Sequence, residues 1–345
     1  MAYTTIKNPG LYFNTKLWTG TGANLSVTGV GHRPDFTWIK NRANTDDHNL
    51  FDVLRGFSTD ALLRSNTSGA ATDTTEGIKS FDSDGFSLGT NGSSNGNGQG
   101  MVSWNWKAGG GQGSSNTDGS INTTYTSVNT TAGFSISKYT GTGSNATVGH
   151  GLGVVPKVVL IKNISQANNW AMYHVSIGNT KSIQIDTNGA PATSAAYWNN
   201  TTPTSSVFTI STGADINTSG DTYIAYCFAE KTGYSQFGSV QGNGVADGPF
   251  IYTGFAPSFV LYRRNGTGDM YFVDNKRPGY NDNDKRLYTD TNQAEETYDL
   301  INLYSNGFKL TNSTHAYTND AGSTYFYLAF GQSIVGSNNI PTTGR

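Results

Sequence analysis

Glycoside hydrolysis is the first chemistry to look for in this chain, because it needs only two carboxyl groups about 5 to 10 Å apart. Four glutamates are present, Glu76, Glu230, Glu295 and Glu296. Glu230 follows an aromatic run, yet no second Glu or Asp alternates with it on the same strand face. The five histidines (His32, His48, His150, His174, His315) form no HxH or HExxH pair, so a transition-metal site would have to be assembled from distant parts. A serine nucleophile is not expected, and there is no GxxxxGK[ST] loop. Asp82-Ser-Asp-Gly85 and Asp282-Asn-Asp284 resemble calcium loops but lack the later bidentate Glu, and read more simply as turns. The expectation is a chain with no catalytic residues, no metal and no cofactor.

Aromatic rings are the remaining candidates for contact. Trp170 (in Asn168-Asn-Trp170), Tyr197 and Trp198 (in Ala196-Tyr-Trp-Asn-Asn200) lie in or beside loops, with His174 close by. Rings flanked by Asn donors suit the apolar face and hydroxyls of a sugar, so these four are the candidate glycan or partner contacts. The plainer reading is that Trp170 starts a strand and the others cap a core. Cys227, alone of its kind, sits in the aromatic run Tyr223-Ile-Ala-Tyr-Cys-Phe-Ala229 and reads as a small buried residue.

The elements that must position these residues repeat along the chain. Trp18-Thr-Gly-Thr-Gly22 matches Tyr139-Thr-Gly-Thr-Gly143, a step of 121 residues. Pro34, Pro156 and Pro257 each precede an apolar run, and Gly56, Gly178 and Gly279 follow in step. Phe86, Phe208 and Phe308 mark a later strand, and Met101–106, Tyr223–228 and Tyr325–330 close the copies. The runs are β-branched and aromatic, turn clusters such as 90–98 separate them, and none holds a helical period. This predicts an all-β fold of three tandem β-sandwich repeats, jelly-roll and lectin-like, over residues 1–112, 113–240 and 241–345. The third copy is expected to be shortened at its front, near 245–257. The Gly/Ser-rich stretch 107–116 reads as a flexible linker and 233–244 as a stiffer joint. Matched landmarks serve the fold, which leaves the loops 41–49, 163–170 and 265–270 for function.

Composition agrees with strands. Hydrophobic residues make up 35% and charged residues 13%, with aromatics at 12% to supply a core. The net charge is −2 with scattered basic residues, which excludes an electrostatic footprint for nucleic acid. No apolar run reaches about 18 residues and no signal peptide is read at the start, so membrane insertion is not expected.

The chain resembles a group of repeat-bearing virion structural or tail-fibre-like proteins of marine tailed bacteriophages. The resemblance rests on Met1-Ala-Tyr-Thr-Thr-Ile6, Asn8-Pro-Gly-Leu-Tyr-Phe13, Ser80-Phe-Asp-Ser-Asp-Gly-Phe-Ser-Leu88, Asn105-Trp-Lys-Ala-Gly-Gly-Gly111 and Gly141–153. It continues through Ala225-Tyr-Cys-Phe-Ala-Glu-Lys231, Ser305-Asn-Gly-Phe-Lys-Leu310 and Pro341-Thr-Thr-Gly-Arg345. It implies a non-enzymatic tail fibre or tail-associated adhesin located in the virion, bound to other virion proteins and touching host cell-surface glycans. A homo-oligomer, a trimer by fibre logic, is expected. A capsid decoration or head-fibre protein and, from another class, a polysaccharide depolymerase are the alternatives.

Overall fold

The structure is a computed structural model that describes residues 4–277, 281, 285–311 and 318–333. Gly279, Asp282-Asn-Asp284, His315 and the motifs at 1–3 and 341–345 lie outside the described residues. β-branched and aromatic runs form strands throughout, and the α-helices are single turns, Gly92–Asn95, Ala195–Trp198 and Ala214–Asn217. No helix among the described residues is long and apolar enough to cross a membrane.

The first stretch holds β1 (Phe13–Thr19), β2 (Leu25–Thr28), β3 (Phe36–Asn41), β4 (Asn49–Asp52), β5 (Ile78–Asp82), β6 (Gly85–Leu88) and β7 (Gly100–Trp106). The second holds β8 (Tyr125–Asn129), β9 (Phe134–Thr140), β10 (Ala146–Gly149), β11 (Val158–Asn163), β12 (Ala171–His174), β13 (Lys181–Gln184), β14 (Ala192–Thr193), β15 (Val207–Ile210) and β16 (Thr222–Phe228). The third holds β17 (Ser235–Gln241), β18 (Phe250–Tyr252), β19 (Phe255–Arg264), β20 (Met270–Asp274), β21 (Lys285–Tyr288), β22 (Glu296–Thr297), β23 (Ile301–Tyr304), β24 (Gly307–Leu310) and β25 (Thr324–Ser333). The antiparallel order β1-β7-β3-β4 recurs as β9-β16-β11-β12 and as β17-β25-β19-β20. Smaller sheets β2-β6-β5, β10-β15 and β18-β24-β23 accompany them.

Strand periodicity explains why the large sheets are buried on both faces. All six residues of β3 and of β11 are buried. Phe36 and Trp38, Val158 and Leu160, and Phe259 and Leu261 point into one shared core, where Trp104, Tyr226 and Leu328 meet them from the closing strands. The alternating residues Val159 and Ile161, and likewise Val260 and Tyr262, point the other way into separate cores. Each buried Phe or Leu contributes about 1.5–3 kcal/mol, so the shared core is the main attraction between the stretches. A wholly apolar cavity of about 40 Å³ remains where Phe36, Val158, Phe259, Trp106, Phe228 and Phe330 converge.

The Gly-x-Gly landmark has a steric cause. A Cβ at Gly20 would lie 2.2 Å from the Gly96 carbonyl oxygen, one at Gly141 2.3 Å from that of Thr218, and one at Gly242 2.5 Å from that of Asp320. Gly22, Gly143 and Gly244 adopt φ of +66°, +72° and +72°. Buried Asn95 and Asn217 clamp this turn by accepting from Thr21 N–H and Thr142 N–H, and Asn319 does so from Asn243 N–H.

Gly242-Asn-Gly244 is therefore the third copy's turn, so the shortening at its front lies before β17 and not near 245–257. The spans Phe13 to Trp106, Phe134 to Phe228 and Ser235 to Phe330 are nearly equal. What differs is the connection, which is 107–133 before β9 but only 229–234 before β17. The stretch 233–244 is mostly strand β17 and this turn rather than a joint. The expected flexible linker is held by bonds as well: Gly110 N–H donates to Asp35 Oδ2 at 2.9 Å, Gly109 N–H to Ser127 Oγ at 3.0 Å, and Ala108 is buried.

Candidate functional site

The residues expected to contact glycan are placed mostly inside the fold. Trp170 is 0% exposed and its Nε1–H donates to the Arg64 carbonyl at 2.8 Å. Trp198 is 1% exposed, with Nε1–H on the Lys181 carbonyl at 2.9 Å. Tyr197 is half-buried, and its hydroxyl donates to Asp215 Oδ2 at 2.6 Å. His174 is buried, with Nδ1 accepting the Ser176 N–H at 3.1 Å and Nε2–H left to donate to the Tyr327 carbonyl at 3.2 Å. The exposed platform expected of these rings is corrected: a tryptophan beside Asn residues in sequence is here a core residue whose N–H has found a carbonyl.

Trp170 and His174 belong to seams between the stretches, and the seams follow one rule. At equivalent positions of β4, β12 and β20, Asp52 accepts Tyr226 Oη–H at 2.7 Å, His174 donates to the Tyr327 carbonyl, and Asp274 accepts Trp104 Nε1–H at 3.1 Å. Each partner comes from the closing strand of the next stretch, so the contacts run from first to second, second to third and third back to first. Asp52 and Asp274 also hold Arg55 Nε and Arg277 Nε at 2.6 and 2.7 Å.

The loops 41–49, 163–170 and 265–270, expected to be left for function, serve the same seams. Arg42 binds Glu295 in bidentate fashion at 2.7 Å for both bonds. The Ile164 carbonyl accepts the Ala71 N–H at 3.1 Å, and Gly268 N–H donates to the Asn188 carbonyl at 2.9 Å. Lys40 and Lys162, at matching places in β3 and β11, donate only to backbone carbonyls, and burial pushes both ammonium groups down to about 8.

No group of three or more His, Cys, Asp and Glu is poised to hold a metal among the described residues. Asp290 neighbours another carboxyl, its pKa being raised first by burial and then by Asp269. Asp84 accepts Gly29 and Gly31 N–H at 2.9 and 2.6 Å, a turn role. Cys227 is fully buried and its thiol is pushed up by burial.

The surface that stands out is the outer face of the third small sheet. Phe250, Tyr252 and Tyr304 are 47%, 58% and 39% exposed. Ile251 points inward between the first two, so Phe250 and Tyr252 share the outward face. Phe250 and Tyr304 meet edge to face at 5.8 Å over Gly307, where a Cβ would lie 2.7 Å from Phe250 Cζ. The other stretches act as internal controls. Register equates Phe250 with Ser26 and Thr147, and Tyr252 with Thr28 and Gly149. The strand forms with small or hydroxyl residues there, so the fold does not require these rings. Sequence comparison could have found them, but only after aligning Gly242-Asn-Gly244 with the earlier turns.

The profile of a protein family described as a domain of unknown function, DUF7483, matches residues 8–333, and the chain belongs to that family. No curated protein and no solved structure matches the chain.

Proposed function

We propose that this member of the DUF7483 family is a non-enzymatic structural or adhesive component of a bacteriophage particle, a tail fibre or tail-associated protein. In this reading it consists of three jelly-roll-like sandwiches. β1 pairs with β7 in one sheet and β2 with β6 in the other, as a long hairpin would when rolled, and the later strands repeat the scheme.

The observation that carries the reading is the cyclic set of seam contacts through Asp52, His174 and Asp274. Contacts that pass from first to second to third and back make a closed ring, as three subunits of a cyclic trimer would. The threefold arrangement expected of a homotrimer is then supplied within one chain. Such a ring is a rigid building block, and Asp52, His174 and Asp274 are engaged in holding it together. The aromatic face of Phe250, Tyr252 and Tyr304 is the surface available for a neighbour or a host glycan.

Locating a labelled copy of the chain in images of the intact particle tests the assignment. Density at the tail supports it, density on the head moves the protein to a capsid decoration, and absence from purified particles overturns it. Sedimentation of the purified chain as a single 36.8 kDa species is the result expected of an internal ring.

A further inference from the structure

We infer that the outer edge of β18 accepts an extended polypeptide strand from a neighbouring chain, laid parallel to β18, with Phe250 and Tyr252 flanking it. The argument starts from the second stretch, where the equivalent edge is already occupied by a segment of this same chain. Ile121 forms a parallel bridge with Val148 of β10. Ile121 N–H donates to the Thr147 carbonyl at 3.0 Å, and Thr147 N–H donates to Ser120 Oγ at 2.9 Å. The Ile121 side chain is buried beneath the small sheet. This cover comes from the connection 107–133, for which the third stretch has only 229–234.

Phe250 occupies the place of Thr147. Thr147 pairs with Thr209 as Phe250 pairs with Lys309, so its backbone N–H and C=O face outward in the same way. Among the described residues no strand lies on that side of β18. Natural proteins blunt such edges with charge or polar side chains, as Ser26 and Thr28 do on β2, whereas β18 exposes two rings. Main-chain bonds would supply affinity and the alternating side chains selectivity. The occupant defined by the second stretch has a hydroxyl residue followed by an aliphatic one, the latter facing inward.

The test uses the full chain and a synthetic peptide of residues 117–124, Thr-Asp-Gly-Ser-Ile-Asn-Thr-Thr, with amide hydrogen exchange as readout. In the free chain the Phe250 and Tyr252 amides are expected to exchange much faster than that of Thr147. Millimolar peptide should slow them at least tenfold, and a peptide with Glu in place of the Ile should not. Tyr252→Lys, which keeps the backbone but charges the edge, should abolish the protection; Tyr252→Pro, whose lost N–H faces away from β24, should do the same. Amides at 250 and 252 that are already protected, or that the peptide leaves unchanged, overturn the proposal. So does binding of a glycan to these rings without amide protection, which would assign the face to sugar instead.

Discussion

Tyr226 Oη donates to Asp52 Oδ2 at 2.7 Å, joining the closing strand of the second stretch to β4 of the first. The same oxygen accepts Arg55 Nε at 2.6 Å, and Asp52 Oδ1 accepts the Leu54 and Arg55 N–H groups at 2.9 and 3.0 Å. All of these groups are buried. A carboxylate in that position serves both the turn after β4 and the seam between two sheets.

Asp52→Ala is therefore expected to destabilise the chain by about 3–5 kcal/mol, because it leaves the Arg55 guanidinium buried without its partner and the Tyr226 hydroxyl without an acceptor. Replacing both members, Asp52→Leu with Arg55→Met, should cost markedly less, since no charge is left behind. Urea unfolding of the two variants makes the comparison, and an equal loss in both would refute the account.

His174 takes the aspartate's place in the second stretch, and burial pushes its imidazole down to about 4 from an ordinary 6.5. Above pH 6.5 the ring is neutral whether the chain is folded or unfolded, and its contribution is fully present. As pH falls from 6.5 towards 4, only the unfolded chain takes up the proton, so stability is lost across that window. The full shift corresponds to ~3 kcal/mol. His32 is pushed down to about 4 by the same cause and adds to the slope. Denaturant unfolding at about pH 7.5 and about pH 5 should show the loss, and His174→Gln should flatten part of it. A slope unchanged by that substitution would show that His174 is not one of its sources.

Val158 stands where the other copies carry Phe36 and Phe259, and it borders the 40 Å³ apolar cavity. Val158→Leu adds one methylene towards that space and is expected to stabilise by about 0.5–1 kcal/mol. Val158→Ala enlarges the cavity and should cost about 2 kcal/mol. Thermal unfolding separates the outcomes; a lower midpoint for the Leu variant would mean that the surrounding rings cannot admit the extra carbon.

Much of the strand pattern was legible because its causes are local. The Pro-led apolar runs are β3, β11 and part of β19, and Met101–106, Tyr223–228 and Tyr325–330 fall in β7, β16 and β25. The turn after β1 was legible twice through its Thr-Gly-Thr-Gly, and missed a third time because Gln241 and Asn243 replace the two threonines although only the two glycines matter sterically. The seams were hidden, since Asp52 and Tyr226 are 174 residues apart. The recurrence of Asp-x-x-Arg at Asp52–Arg55 and Asp274–Arg277 was a usable signal for two of them. The burial of Trp170 was not readable, because it depends on the first stretch, whose Arg64 carbonyl takes its N–H, whereas Trp198 packs within its own stretch against Tyr173.

A chain built in this way is expected to release no new reducing ends from host capsule or lipopolysaccharide, and each of its four glutamates already has a partner within the fold. Glu76 accepts the Thr90 N–H and hydroxyl, both at 2.9 Å, and Glu230 accepts the Phe237 N–H at 2.9 Å. Glu295 is held by Arg42 and Arg277, and Glu296 by Arg286 and the Tyr288 hydroxyl, each of the latter two at 2.8 Å. A general acid must present its carboxyl to a substrate within hydrogen-bond reach, and these carboxylates are turned to partners within the fold. Incubation of the purified chain with either polysaccharide, followed by a reducing-end assay, is the direct check. New ends that disappear in Glu296→Gln but persist in Tyr252→Lys would overturn the non-enzymatic reading and move the active centre to the arginine-bound carboxylates.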